Sequence, residues 1–290
     1  MPIGFDCGTY NLVCAKRKDS GDFEYKHEVN AFLEFECENR FVFNMMKKAG
    51  VPLIWSDEYI IVIDKPAGLL AIPDGYDPVA PHVKAVLSPH YEPLWIVHRL
   101  DRYTSGVMVL ARSTSAHRQL NTQFQERQVK KTYMALVVGD PDWDCKVIDQ
   151  PLRENVGRRH RTVVDQQNGK PSITRFKVLD RFGSYCLIEA SPETGRRHQI
   201  RAHLSAEGFP IAGDSLYGSK IEILRSDIDH NYPGELQSGE PLLNRPGLHA
   251  RSIELEHPIT HKHSLFEAPY PRDIMLILDI LRGWSRRDPS

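Results

Sequence analysis

Nowhere in its 290 residues does the chain carry an apolar run approaching the ~20 residues that a bilayer-spanning helix needs. The first residues lack a basic stretch followed by an apolar one, so no secretory signal is expected. Cysteine is scarce: Cys7, Cys14, Cys37, Cys145 and Cys186 are odd in number, and no pair has the close spacing of zinc ligands. A disulfide framework and a structural zinc site are therefore not expected, and the cysteines read as reduced thiols of a cytoplasmic protein. Internal repeats and low-complexity tracts are absent as well. So is net charge, with 37 Lys and Arg against 38 Asp and Glu, which argues against a chain that binds nucleic acid through its overall charge.

What is present is locally organised. Residues 151–203 hold 11 Lys and Arg against 5 Asp and Glu, a basic segment suited to one face that meets phosphate. Runs rich in β-formers occur at Tyr59–Ile63, Val107–Leu110, Lys131–Val138, Ile173–Leu179, Tyr185–Ala190 and Ala250–Glu256. Helices are expected after Ser113, whose hydroxyl suits an N-cap and which precedes Ala116, Leu120 and Phe124 on one helical face. Further helices are expected over Arg197–Ala206 and Ile274–Leu281. Strands dominate and do not alternate strictly with helices. The expected fold is α+β, with a mixed, mostly antiparallel central sheet flanked by helices. A change of character near Ala49–Pro52 divides the chain into an N-terminal extension, 1–52, and a main domain, 53–290.

The segment with the most chemistry is His98-Arg99-Leu100-Asp101-Arg102-Tyr103-Thr104-Ser105-Gly106. It places a carboxylate between an apolar run and a turn that leads into another apolar run. A scaffold can fix an acid at such a junction while leaving it open to a cleft. By position alone, Asp101 could equally cap a turn or pair with Arg99 at the surface. The segment resembles the His-Arg-Leu-Asp-x-x-Thr-Ser-Gly signature of the RluA-type pseudouridine synthases at every fixed position. Three further blocks follow the family's order: Asp64-Lys65-Pro66-Ala67-Gly68-Leu69, Lys131-Thr132-Tyr133-x-Ala135, and Thr194-Gly195-Arg196-Arg197-His198-Gln199-Ile200-Arg201-x-His203. Gly213-Asp214-x-x-Tyr217-Gly218 continues the series. Ordered blocks over about residues 54–282 are far more specific than any one motif.

The resemblance implies an RNA-modifying isomerase with Asp101 as the catalytic carboxylate, Arg201 as its cationic partner and Tyr133 in the active site. Pseudouridylation breaks the bond between ribose and the uracil nitrogen and rejoins the base through carbon 5. No redox cofactor is needed, and none is expected. The acid either attacks the sugar carbon or removes a ribose proton. Without the family match, Arg201 would read as an exposed helix position and Tyr133 as a core tyrosine. A uridine in folded RNA must leave its stack to reach such a site. The expected partner is ribosomal or transfer RNA. Its contacts would be Arg99, Lys131, Arg158, Arg159, Arg161, Arg196 and Arg197, with the run Gly157–Arg161 in a loop and His98 structural. The protein is expected to act as a monomer.

Other signals are weaker. Ile3-Gly4-Phe5-Asp6-Cys7-Gly8-Thr9 resembles the first phosphate loop of the actin and sugar-kinase ATPase superfamily. No second phosphate loop follows, so residues 1–52 read as a fragment with no assigned function. His257, His261 and His263 sit in a polar turn and are not expected to bind metal. Glu222 to Pro246 reads as a loop insertion that either helps choose the RNA or is a plain surface loop.

Overall fold

A computed structural model describes residues 14–17, 23–26, 50–75, 77–218, 223, 228 and 241–285. The chain divides into two compact units, Met1–Met45 and Met46–Ser290. In the first unit, β1 (Cys14–Arg17) pairs antiparallel with β2 (Phe23–Lys26). The segment resembling a phosphate loop, 3–9, lies outside the described residues.

The second unit is built on one large sheet. Its strands are β3 (Leu53–Ser56), β4 (Ile60–Lys65), β5 (Trp95–Ile96), β6 (Ser105–Ala111), β7 (Lys130–Val138), β8 (Cys145–Asp149), β11 (Ile173–Arg181), β12 (Tyr185–Pro192), β13 (Leu248–Glu256) and β14 (His263–Glu267). The main path runs β3-β4-β6-β13-β7-β12-β11-β8, with β14 beside β13 and β5 beside β6. A separate hairpin joins β9 (Leu152–Val156) to β10 (Arg161–Val164). Among the described strands, the β6–β13 pairing is the one parallel contact. The sheet is thus mixed and mostly antiparallel, as the strand-rich pattern implies. All seven residues of β6 are buried, as expected of a strand covered on both faces.

Alternation along β7 explains the layering. Met134 and Leu136 enter one core, while Ala135 and Val137 enter the opposite one. The first core is closed by Ile274, Ile277, Leu278 and Leu281 of α4 (Arg272–Ser285). The second is closed by Ile200 and Leu204 of α3 (Gln199–Ala206). Tyr133 has the parity of Ala135 and so faces the α3 side. The two-residue period of a strand therefore brings Tyr133 to the helix that carries Arg201. On the other half of the sheet, α2 (Thr114–Gln125) buries Ala116 and Leu120. Ser113 caps it by accepting a hydrogen bond from the Ala116 amide at 3.1 Å. A short α1 (Val83–Leu87) precedes β5.

Two local readings need correction. The helix expected from Arg197 begins at Gln199, because His198 stands in the left-handed region at φ 54°. The Gln199 side chain holds the preceding turn, accepting from the Arg196 amide at 3.0 Å and from the Thr194 hydroxyl at 2.7 Å. The insertion read at Glu222–Pro246 is not all surface loop, since Ile223, Ile228, Leu243 and Arg245 are buried. The histidines expected to sit in a polar turn go to separate carboxylates: His257 to Asp57, His261 to Glu256 and His263 to Glu254.

Candidate active site

The loop that carries Asp101 runs between β5 and β6 and is held at both ends. On its N-terminal side, the His98 ring stacks on Phe124 with centroids 4.8 Å apart, and its Nε2 accepts from the Val109 amide at 2.9 Å. Burial, with a smaller effect of the Lys131 charge, lowers the His98 pKa to about 3, so the ring is a neutral structural element. On its C-terminal side, Gly106 has φ 116°, and a Cβ there would meet the Ala250 carbonyl oxygen at 2.1 Å. Only glycine fits where β6 leaves the loop against β13.

The Lys65–Leu69 turn grips the same loop from below. Lys65 is fully buried, and its ammonium donates to the carbonyls of Pro66 at 2.9 Å, Leu69 at 2.8 Å and Arg102 at 3.2 Å. The Gly68 amide donates to the Arg102 carbonyl at 2.8 Å. Burial pushes the Lys65 pKa down to about 7, against the opposing pull of the Asp101 charge. Asp64 is pushed the other way, up to about 6, by its own burial.

These contacts leave the Asp101 side chain about one-fifth exposed, with Oδ2 3.4 Å from Nη1 of Arg201. Arg201 is anchored elsewhere. Its Nε and Nη2 donate to the two carboxylate oxygens of Asp214 at 2.7 and 2.9 Å, a two-pronged ion pair in which the Asp214 side chain is completely buried. Burial opposes the Arg201 charge, but Asp214 and Asp101 together outweigh it and hold the pKa above its usual value. Asp214 Oδ1 also accepts from the Leu216 and Tyr217 amides at 3.0 and 3.2 Å. The Tyr217 ring lies 5.0 Å from the Arg201 guanidinium and 5.2 Å from that of Arg161. Its hydroxyl accepts from the Thr162 amide at 2.7 Å and meets His198 Nδ1 at 3.1 Å.

Tyr133 completes the group. Burial, and then the Asp101 charge, raise its phenol pKa, so it stays protonated and within the field of the acid. His198 Nε2 lies 3.7 Å from Asp101, but burial lowers its pKa to about 4, and at neutral pH it brings no charge.

The structure therefore brings Asp101 and Arg201 into contact, and places Tyr133 on the face of β7 that packs toward the helix carrying Arg201. The expected RNA contacts are more varied. Arg99 is exposed, and so are Arg158 and Arg159, at the tip of the β9–β10 hairpin. Arg161 is half-buried against Tyr217 rather than free in a loop. Arg196 donates to the Pro171 carbonyl at 3.4 Å, and Arg197 binds the Asn155 side chain. Lys131 is half-buried, which lowers its pKa. The sequence reading assigned no role to Lys65, Asp214, Tyr217 or Arg245. The first three stand inside the motif blocks, but spacing does not reveal which charge pairs with which.

A family model described as RNA pseudouridylate synthase matches residues 59–206. The chain belongs to that family. The synthase is 39% identical to ribosomal large subunit pseudouridine synthase C of Vibrio parahaemolyticus over 232 residues, covering 79% of this chain and 69% of the relative. It is 37% identical to the ribosomal large subunit pseudouridine synthase D of Pseudomonas aeruginosa, covering 79% and 71%. Among solved structures, human RNA pseudouridylate synthase domain containing 4 superposes with a TM-score of 0.62 at 28% identity, covering 84% of this chain and 97% of that one. The synthase is an RNA-modifying isomerase. The ATPase resemblance of residues 1–52 gains no support from these relatives. No helix among the described residues is long and apolar enough to cross a membrane.

Four buried imidazoles, those of His98, His198, His203 and His249, give this synthase a defined acid sensitivity, because burial lowers the pKa of each. Burial lowers the pKa of His98 to about 3 and those of His198 and His249 to about 4. Unfolding returns each toward its ordinary 6.5, so between pH 6.5 and 4 the unfolded chain binds protons that the folded chain refuses. Stability is therefore lost as pH falls through that window. Asp64, with its folded pKa raised to about 6, works in the opposite direction below that pH and offsets part of the loss. The net fall expected from pH 7 to 4.5 is on the order of several kcal/mol, read as a lower urea midpoint. An unchanged midpoint would contradict the neutral state of these rings.

Proposed function

We propose that the synthase isomerises uridines of large-subunit ribosomal RNA, with Asp101 as the catalytic carboxylate. The observation that carries this reading is the Asp101 carboxylate, 3.4 Å from a buried guanidinium and within the field of a protonated tyrosine. The ribosomal substrate is supported by the relatives' printed activities. Residues 53–290 form the catalytic domain in this reading, and 1–52 an extension with no assigned role. The enzyme works as a monomer in the cytoplasm.

The target uridine leaves its stack and enters the cleft, at a cost of a few kcal/mol. Arg99 follows the vacated position, while Arg158 and Arg159 at the hairpin tip hold phosphate without reading sequence. Arg161, Arg196 and Arg197 line the approach. Lys131, half-buried two residues before Tyr133, meets the phosphate nearest the flipped base. Asp101 then acts at the ribose while the bond from carbon 1′ to the uracil nitrogen breaks. The uracil turns, carbon 5 bonds to carbon 1′, carbon 5 gives up its proton and the nitrogen gains one. Atoms and electrons balance within the substrate, so no redox cofactor takes part. Tyr133 faces the base and relays the carbon 5 proton. Arg201, 3.4 Å from Asp101, holds its cation beside the acid as the base departs.

Pseudouridine mapping in ribosomal RNA from cells with and without the gene tests the assignment. Sites lost on deletion should return with the wild-type gene and stay absent with Asp101→Ala. Changes confined to transfer RNA would overturn the ribosomal substrate. Restoration by the alanine variant would remove Asp101 from the chemistry.

A further inference from the structure

Arg245 lies outside the motif blocks and outside the catalytic group, yet it touches three parts of the molecule that must be in register for catalysis. Its residue is only 6% exposed. Nε and Nη2 grip the Asp273 carboxylate at 2.7 and 2.9 Å, and Asp273 stands in the first turn of α4. Nη1 donates to the Tyr103 carbonyl at 3.2 Å, two residues after Asp101. The Arg245 backbone lies on the turn that carries Asp214. A Cβ on Gly213 would meet the Arg245 carbonyl oxygen at 2.2 Å, so glycine there permits the approach. Lys65 holds the preceding carbonyl, that of Arg102. Consecutive carbonyls just after Asp101 are therefore each bound by a buried cation from a different segment.

We infer that Arg245 is a positioning residue for the isomerisation: it bolts the Asp101 loop to α4 through Asp273 and packs its backbone against the Asp214 turn, which sets the separation of Asp101 from Arg201. The geometry makes this specific. Arg201 is already committed to Asp214 by two short hydrogen bonds, so it cannot follow a displaced Asp101. The 3.4 Å approach of the two groups is decided by where their backbones are held. Arg245 is the side chain that reaches the acid's loop while its main chain abuts the turn of the guanidinium's anchor. A shift of about 1 Å in a reacting group is enough to cost on the order of 100-fold in rate. The inference rests on Asp101 being the catalytic carboxylate.

Arg245→Met, Arg245→Lys, Asp273→Asn and Asp101→Asn are compared under single-turnover and steady-state conditions on a ribosomal RNA fragment, with folding followed by circular dichroism. Arg245→Met should lower kcat on the order of 10- to 100-fold while KM for RNA stays within about twofold. Arg245→Lys should recover part of that loss, because its ammonium reaches one of the two acceptors. A cavity of about 300 Å³ lined by Asp64, Pro66, Ser105, Arg245 and Asp273 adjoins the guanidinium. Ethylguanidinium should therefore restore part of kcat, saturably, to Arg245→Ala. A folded Arg245→Met with wild-type kcat, or with only KM altered, overturns the inference. If Arg245→Met does not fold, Asp273→Asn decides. A fall in kcat at constant KM supports the clamp, and wild-type kcat overturns it. Inactive Asp101→Asn beside a fully active Arg245→Met removes the clamp alone. An active Asp101→Asn removes the catalytic assignment and the clamp together.

Discussion

Asp101→Asn is expected to abolish isomerisation while leaving a folded, RNA-binding protein. The substitution keeps the size of the side chain and removes the one charged oxygen that approaches Arg201 at 3.4 Å. Arg201 is not left uncompensated, because both oxygens of Asp214 remain on it at 2.7 and 2.9 Å. The stability change should therefore stay within about 1 kcal/mol, the range of a partly exposed pair. The chemical loss should be far larger. Removing the group that acts on the reacting carbon costs on the order of 10⁴- to 10⁶-fold in enzymes where it has been measured. RNA affinity should change little, since phosphate contacts and not the acid supply most of it. Single-turnover rates, filter binding and a thermal melt separate the three quantities. A rate within about tenfold of wild type would remove Asp101 from the chemistry.

Much of the scaffold was legible because its periods are short and its faces are unambiguous. The run Val107–Leu110 lies in β6, buried on both sides, and the pattern Ala116, Leu120, Phe124 lies in α2 behind the Ser113 cap. Of the loop expected over Gly157–Arg161, the part up to His160 forms the tip of the β9–β10 hairpin, whose two short strands no run of β-formers marked, and Arg161 opens β10. The start of α3 was misplaced because Arg196 and Arg197 have ordinary helix propensity, while the turn that delays the helix is held by the Gln199 side chain, whose Oε1 accepts from the Arg196 amide and whose Nε2 donates across to the Ile173 carbonyl of β11. Arg245 was hidden for a similar reason. A segment rich in Asp, Glu, Gly and Pro reads as loop, and nothing local marks one arginine in it as buried against Asp273. Asp101, Tyr133 and Arg201 were found through ordered motifs, whereas the preference of Arg201 for Asp214 over Asp101 depends on distances that no spacing encodes.

Breaking that preferred pair should have the second large effect, and its two halves should separate stability from chemistry. Asp214→Leu leaves the buried guanidinium of Arg201 with Asp101 as its nearest carboxylate, 3.4 Å away and partly solvated. Removing one partner of a buried ion pair costs about 3–5 kcal/mol. For a domain of this size that is a fall in Tm of roughly 10 °C. Replacing both partners by apolar residues is often close to neutral, because no unpaired charge remains. The double variant Arg201→Leu with Asp214→Leu should therefore melt nearer to wild type than Asp214→Leu alone. Its kcat should stay at the floor, because Asp101 has lost its cation whether or not the core is sound. Tm and single-turnover rate measured on the three proteins give the comparison. If the double variant regained rate along with stability, the guanidinium would be a structural anchor and no partner of the acid. Recovery of Tm alone assigns the Asp214 contact to the fold and the longer Asp101 contact to the reaction, two tasks met by one side chain through different nitrogens.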